Sequence, residues 1–373
     1  MVDTELRILV VGAGTAGLAA ARTLRLAGFR PDVVEKLPAT TVPGTGIYLP
    51  GNAARALRAL GLHEAVRPLG AMITRQEVRS SAGDLLVDID AVQLWGATGE
   101  CRGLPRADLH EVLLTGAGGD VRHDTQVCGL EIAGDAATVA FGDGSRADYD
   151  LVVAADGRRS GVRGLAGLGG AARPVGQLAY RSVVAGGPPL DAWTHLRGAG
   201  TSFLIVPIGG GQLYVYADEE VPRGTAPAPP ADPLARVREL FGGFGGPVPA
   251  LLERMERVQA AVIEDVDLPA WVRGPVVLVG DAAHATSPNM AQGAALALED
   301  AVVLAEELGR ARTVPAALAA FEARRRPRAA WVLRQSRRRD PTRHLPAPVR
   351  RAVLRSRGEA IFRAAYGPLL APA

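Results

Sequence analysis

At 373 residues the chain is long enough to bury a large core and is expected to form two closely joined domains. Nearly half of it is apolar, yet no apolar stretch reaches the ~20 residues of a membrane span, and two cysteines, Cys101 and Cys128, are too few for a disulfide framework or a thiolate metal site. The net charge of +3 is unevenly spread: residues 324–357 carry 13 arginines against Asp340, or +12, which leaves the rest near −9.

Arg7 to Val11 is a short apolar run suited to a buried parallel strand, entered from Val2, Asp3 and Glu5 without room for a signal peptide. Gly12, Gly14 and Gly17 follow in G-x-G-x-x-G spacing, and a small-residue helix covering about Ala16 to Ala27 stops at Gly28. A second strand, Pro31 to Val34, ends at Glu35 and Lys36. Gly12 permits a tight turn, Gly14 lets the backbone approach a pyrophosphate, and Gly17 lets helix and strand pack closely. Free N–H groups at the helix N-terminus favour the phosphate charge. Glu35 stands where an acid accepts hydrogen bonds from ribose hydroxyls. This unit points to a dinucleotide without separating FAD from NAD.

A helix is predicted from about Gly51 to Leu60, with Gly61 as its stop, then strands within 73–95 (ITRQEVRS and DLLVDIDAV). Leu104 to Leu114 reads as helix, 120–155 as short strands, and 175–220 as antiparallel strands joined by glycine-rich turns. Within this stretch Leu151 to Ala155 is a buried strand ending in the turn Asp156-Gly157, where open α/β sheets bind ligands. VPRGTAPAPPADP is a surface connection, followed by helices at about Leu234 to Phe241 and 247–256 and a strand at 260–266. Val276 to Val279 is a strand that ends at Gly280 and Asp281. A loop from His284 to Gln292 then leads to a helix beginning near Gly293, whose first N–H groups, from Gly293 and Ala294, face whatever the loop encloses. The pattern is a parallel α/β domain interrupted twice by a β-rich layer. The arginine-rich segment lacks interleaved aromatics, a zinc pattern and a recognition helix. Phe321, Trp331, Val332 and Leu333 instead suggest a helix packed on one side, its arginines solvated or covering acidic surface, so no nucleic-acid partner is expected.

The three stretches ILVVGAGTAGLAAARTLRLAGFRPDVVEK, DYDLVVAADGRRSGVR and GPVVLVGDAAHATSPNMAQGAALALEDAVVLAEEL, in this order, resemble the single-component FAD-dependent aromatic hydroxylases, the group A flavoprotein monooxygenases that include p-hydroxybenzoate and salicylate hydroxylases. The likeness runs from about Arg7 to Arg339. It implies an α/β fold: a glutathione-reductase-like FAD-binding Rossmann domain with an inserted mixed β-sheet substrate domain and C-terminal helices. The FAD domain is expected to comprise 1–72, 99–172 and 267–340, the substrate domain 73–98 and 173–266, and a helical segment 341–373. The resemblance further implies non-covalent FAD, NADH or NADPH as electron donor and O2 as co-substrate. The reaction it implies is hydroxylation of a small aromatic substrate through a flavin C4a-hydroperoxide. On the same resemblance Gly12, Gly14, Thr15, Ala16, Gly17, Glu35 and Lys36 serve the ADP half of FAD. Arg106 and Val127 serve the cofactor's middle, Asp156 and Gly157 the loop linking FAD to NAD(P)H, Gly280 and Asp281 the ribitol, and Pro288 to Ala294 the isoalloxazine. Where the family has Gly-Gln-Gly, this chain has Ala291-Gln292-Gly293.

The residues themselves offer no paired carboxylates, Ser-His-Asp triad or metal-ligand cluster, so the chemistry falls to the cofactor, with Pro288, Gln292 and Gly293 as flavin-loop candidates. His284 reads as part of a packing motif rather than a general base. Arg181, Tyr214 and Tyr216 are the substrate-binding candidates; the tyrosines share one strand face, which equally suits a packed core. Arg181 would suit a carboxylate or phenolate. Urate-type members carry an arginine at about the place of Ser202. An alkene epoxidase or reductase on the same fold remains as the alternative, as does a non-enzymatic binding protein. A cytoplasmic monomer or homodimer, without membrane contact, completes the expectation.

Overall fold

The structure, a computed structural model, describes residues 2–41, 44–222, 227–338 and 345–373. Part of the Pro/Ala-rich connection (223–226), and Arg339, Asp340 and Arg343 of the arginine-rich segment, lie outside the described residues.

Ile8–Val11 is buried at every position because it is a central strand with parallel neighbours on both sides. It heads a six-stranded sheet in the order Val272–Arg273, Val276–Leu278, Leu151–Ala154, Ile8–Val11, Asp32–Val34, Val121–Arg122, antiparallel only at the first pair. The helix Thr15–Leu26 packs along Gly293–Arg310, and its alanines and Gly17 allow the close approach that lets Thr23 Oγ1 donate to Ala301 O at 2.9 Å.

The chain leaves this sheet to build a seven-stranded one in the order Gln259–Asp265, Arg173–Ala185, Gln212–Glu220, Thr201–Pro207, Trp193–Arg197, Arg75–Ser80, Leu85–Asp90. Only Trp193–Arg197 and Arg75–Ser80 run parallel, so the sheet is mixed. Alternation sends Leu178, Tyr180, Val184, Phe203, Ile205, Leu213 and Val215 into a second core beneath the helices Pro233–Phe241 and Val248–Arg254. Phe241 anchors it, edge-to-face with both Phe203 and Phe244 at 5.1 Å. The intervening residues, Arg181, Tyr214, Tyr216 and Leu204 among them, point to the opposite face, on the side of the six-stranded sheet's core.

A small sheet of Gly46–Leu49, Cys101–Pro105 and Ala71–Ile73 joins the two layers. A Cβ at Gly46 would lie 2.4 Å from Tyr214 Cβ, and one at Gly103 would lie 2.1 Å from Pro207 O. These contacts fix the spacing of the layers. No described helix is long and apolar enough to cross a membrane.

Some expectations are corrected. Cys101–Pro105 is a strand and the helix starts only at Arg106, because Pro105 biases Leu104 toward extended backbone. The strand Leu85–Asp90 stops where Asp90 caps the short helix Ala91–Trp95 by accepting from Gln93 N at 2.8 Å. The stretch read as loop, His284 to Gln292, contains a 3-10 turn, Pro288–Met290, and is preceded by a helical turn, Asp281–His284. Of the arginines expected to be solvated or to cover acidic surface, Arg325 in the helix Val314–Arg338 meets its acids, Glu299 and Asp300, in the core rather than at the surface.

Candidate functional site

The three sequence motifs meet at the C-terminal edge of the six-stranded sheet, and their glycines show how. Gly12 has φ +105, and a Cβ there would lie 2.5 Å from Ala155 O, just before Asp156 of the second motif. A Cβ at Gly17 would lie 1.8 Å from Gly12 O. Gly280 of the third motif has φ +57 and sits so close to Ala16 that a Cβ would come within 2.7 Å of that methyl. Arg163, almost fully buried, ties the second motif to the third by donating to Ala282 O at 2.9 Å.

Gly14 is different. Its φ of −78° suits any residue, and a Cβ there would meet no protein atom within 4 Å. No protein contact demands glycine at this exposed position, which leaves open space at the helix N-terminus. Gly157, at φ +83, also faces open space. This is a cradle shaped for a dinucleotide pyrophosphate, and the residues present fit FAD.

Around the cradle, Glu35 accepts from Ala13 N at 2.8 Å and from Leu37 N at 2.9 Å, so one carboxylate fixes both the glycine loop and the strand exit. Lys36 beside it is exposed, and Thr15 opens the helix. Arg106 is exposed at the start of Arg106–Ala117, its N–H donating to Thr45 O at 2.7 Å. His110, one turn on, is pushed below the ordinary imidazole range by burial and by the Arg106 charge, against the pull of Glu35. Burial pushes the Tyr214 phenol up, against the nearby charges of Arg181 and, less, Arg106. Val127 is buried at the start of Val127–Ala133. Asp156 turns into its own loop, accepting from Ser160 Oγ at 2.5 Å and Val162 N at 3.1 Å. Asp281 is exposed, and its Oδ1 lies 3.9 Å from a Cβ built on Gly293. The Asp281 carboxylate therefore faces the N-terminus of Gly293–Arg310, where Ala294 is also half-exposed.

The loop between them holds Ala291 at φ +51, ψ 34, left-handed backbone that costs a residue with a Cβ roughly 1 kcal/mol. The Gln292 side chain does not face the cleft. It is fully buried, exchanging hydrogen bonds with Asn52: Asn52 Nδ2 to Gln292 Oε1 at 2.9 Å and Gln292 Nε2 to Asn52 Oδ1 at 3.3 Å. Beneath lies an ion cluster that sequence reasoning missed. Asn52 Nδ2 donates to Glu299 at 3.1 Å, Arg325 bridges Glu299 (3.1 Å) and Asp300 (2.7 Å), and Asp300 accepts from Gly280 N at 2.8 Å and pairs with His284 Nε2 at 2.7 Å. His284 is thus an anchor, packed 5.0 Å from the Trp271 ring. The signal was present in the sequence: Glu299 and Asp300 interrupt an otherwise apolar helix stripe containing Leu296, Val303 and Leu304.

Burial alone would raise the Asp300 carboxyl, but the charges of His284 and Arg325 hold it at about 2. That value lies below the ~3.9 of an unfolded aspartate, so the stabilisation is complete above about pH 5 and is lost as pH falls toward 2. Urea midpoints are expected to drop between pH 5 and pH 3 by the equivalent of about 1 kcal/mol from this group. Unchanged midpoints would mean that Asp300 is not a paired carboxylate.

On the opposite wall, the Arg181 guanidinium lies 5.4 Å from the Tyr216 ring centre. Tyr214 and Tyr216 are both nearly buried, Tyr214 against Gly46. Ser202 Oγ donates to Asp218, and Gln177 Nε2 donates to the same carboxylate at 3.2 Å, while Arg197 stands opposite Ser202 on the neighbouring strand. Tyr48, Gln76 and Tyr366 also lie here, unflagged by sequence motifs. Gln76 donates to the Tyr48 hydroxyl, and Tyr366, from the C-terminal helix Ala347–Leu370, donates to Met290 O at 3.4 Å.

Comparison with known proteins gives a consistent picture. A family model described as "FAD binding domain" matches residues 5–336. The chain is 35% identical to the aurachin C monooxygenase/isomerase of Stigmatella aurantiaca over 341 residues, 87% of this chain and 86% of that one. It is 32% identical to an FAD-dependent urate hydroxylase of Klebsiella pneumoniae over 346 residues, 90% and 89% of the two chains. The crystal structure of Klebsiella pneumoniae HpxO complexed with FAD and uric acid superposes with a TM-score of 0.88 at 29% identity, covering 98% of this chain and 97% of that one. The alkene epoxidase or reductase of the alternative reading has no counterpart among these three.

Proposed function

The chain belongs to the FAD-binding-domain family and is an FAD-dependent monooxygenase of the aromatic hydroxylase type, and from that premise we propose how its own residues serve the reaction. Bound in the cradle, FAD supplies the redox chemistry that couples NAD(P)H oxidation to O2 activation, while the protein binds, orients and excludes water.

The observation that carries the assignment is the meeting of the three motifs, Gly12 against Ala155 and Gly280 against Ala16, around the open space at Gly14. Gly12, Gly14, Thr15, Ala16 and Gly17 take the pyrophosphate, with Glu35 and Lys36 at the ribose and Arg106 and Val127 at the middle of the cofactor. Asp156 and Gly157 shape the loop toward NAD(P)H; Gly280 and Asp281 hold the ribityl chain. Pro288, Gly293 and Ala294 border the isoalloxazine, where N–H groups at the helix N-terminus favour negative charge on the pyrimidine edge. Gln292 serves this border through its backbone alone.

The substrate is a small planar aromatic or heteroaromatic molecule, lodged between the flavin loop and the seven-stranded sheet. Supporting this are the half-buried Ile47, Leu204 and Tyr366 and the buried Met290, apolar and aromatic surfaces around few polar groups. Arg181, Tyr214 and Tyr216 form one polar edge of this wall. Ser202, hydrogen-bonded to Asp218, stands at about the place where the resemblance to urate-type members implies an arginine, which supports a substrate other than urate. Residues 73–98 and 173–266 are the substrate domain in this reading, and the remainder up to 340 the FAD domain. The arginine-rich segment is structural rather than a nucleic-acid surface: Arg324, Arg325, Arg328 and Arg337 pair with Glu306, Glu299, Asp300, Asp265 and Asp267. A cytoplasmic monomer or homodimer fits these features.

The test is the absorption spectrum of the purified protein, followed by NADH or NADPH with a panel of phenols, aromatic acids and hydroxylated heteroaromatics under air. Bands near ~450 nm and substrate-stimulated NAD(P)H loss, with urate inactive, are expected. A protein that takes up no FAD ends this reading. Asp281→Ala is expected to weaken FAD at least about tenfold, the loss of a charged hydrogen-bond acceptor, without lowering the melting temperature of the apo-protein, since no protein partner is removed. Undiminished FAD affinity in that variant would remove Asp281 from the site.

A further inference from the structure

Two features of the flavin loop belong together. Ala291 is one of only two described residues other than glycine with positive φ, and it lies directly before Gln292. Strained backbone of this kind persists only where its surroundings over-determine it. The surroundings here are the reciprocal amide pair between Gln292 and Asn52, both wholly buried and tied through Glu299 to Arg55, Arg325 and Arg328. Asn52 belongs to the helix Gly51–Ala59, so the pair joins two segments far apart in sequence at the one point where the loop carries strain.

We propose that Asn52 is a positioning residue for the flavin loop: through Gln292 it holds Ala291 in the left-handed conformation that presents the Gly293 and Ala294 N–H groups to the cofactor. The inference rests on the loop 288–294 bordering the flavin. A glycine at 291 would adopt this backbone without strain, so the clamp matters because the residue is alanine. Released from Asn52, the loop relaxes, and FAD must restore the strained form each time it binds.

The experiment is a cycle of Asn52→Leu and Ala291→Gly, read by FAD titration of apo-protein, by hydrogen exchange of amides 288–294, and by peroxide released per NAD(P)H. Asn52→Leu leaves Glu299 paired with three arginines, so the protein is expected to fold. It should bind FAD about tenfold more weakly, the magnitude of one buried hydrogen-bonded group lost. It should also exchange faster in that loop and release more peroxide. Ala291→Gly alone should change FAD affinity little. In the Asn52→Leu background it should restore most of the loss. Gln292→Met, which spares the Asn52–Glu299 bond, should copy Asn52→Leu and be rescued in the same way. Rescue separates the clamp from a general loss of core stability, which glycine at 291 would not repair. An Asn52→Leu protein with full FAD affinity and unchanged loop exchange overturns the proposal. So does an Ala291→Gly effect of equal size in both backgrounds. Failure of every variant and the parent to take up FAD would instead overturn the cofactor reading itself.

Discussion

Gly17→Ala is expected to yield a protein that purifies without flavin, with FAD affinity reduced at least about a hundredfold. The added methyl would sit 1.8 Å from the carbonyl oxygen of Gly12 and 3.3 Å from the Ala155 methyl. Neither neighbour is a flexible side-chain end, so the helix Thr15–Leu26 must move away from the strand. Overpacking of that kind costs about 1–3 kcal/mol in stability, and the displaced helix no longer aims its N-terminus at the pyrophosphate. Gly14→Ala is the informative partner. Its methyl meets no protein atom within 4 Å and its backbone is ordinary. The apo-protein should therefore melt like the parent while FAD binds several-fold more weakly, because the methyl takes ligand space. Calorimetry of the apo-proteins and FAD titration check both. If Gly14→Ala binds FAD as the parent does, the pyrophosphate lies elsewhere.

Arg325→Met should cost about 3–5 kcal/mol of folding stability, the range for breaking a buried ion pair from one side. The guanidinium is wholly buried and bridges Glu299 at 3.1 Å and Asp300 at 2.7 Å, while donating to Leu296 O at 3.2 Å. Its removal leaves Asp300 with His284 as its one charged partner and the Gly280 N–H as a donor, in a site where desolvation opposes the charge. Lysine should rescue only part of this, since an ammonium cannot span two carboxylates with a planar fork. Denaturant titration gives the value; a loss below about 1 kcal/mol would mean that the cluster is no stronger than a surface pair.

The N-terminal βαβ unit was legible because each of its glycines obeys a local rule, and the pairing of Ile8–Val11 with Asp32–Val34 is itself nearly local. The meeting of the three motifs was legible only through family resemblance, since spacing alone cannot say that Gly280 packs on Ala16. Asn52 was passed over for a physical reason. An asparagine near the start of a helix is ordinary capping material, yet here Pro50 holds the cap position and Asn52 points into the core. Arg325 was read with its neighbours as surface charge, because composition cannot tell which of several consecutive arginines finds a buried acid. Gln292, a flavin-loop candidate by sequence, turns its side chain inward to Asn52. The proposed substrate wall was the least legible, because Tyr48, Gln76 and Tyr366 come from three separate segments and belong to no motif.

The strand order of the six-stranded sheet also governs how the molecule can assemble. Ile8 pairs with Leu151, and Val152 in turn with Val276, so the central strand has one edge open until the middle of the chain is made and the next stays open until late. On a ribosome, the cradle can close only after Val276–Leu278 and the helix that carries Asp300 have emerged. Long-range pairings of this kind fold slowly and leave sheet edges exposed to aggregation in the interval. Soluble yield should therefore respond to chaperone supply and growth temperature more than to free flavin during synthesis, because flavin can bind only after the last strand is in place.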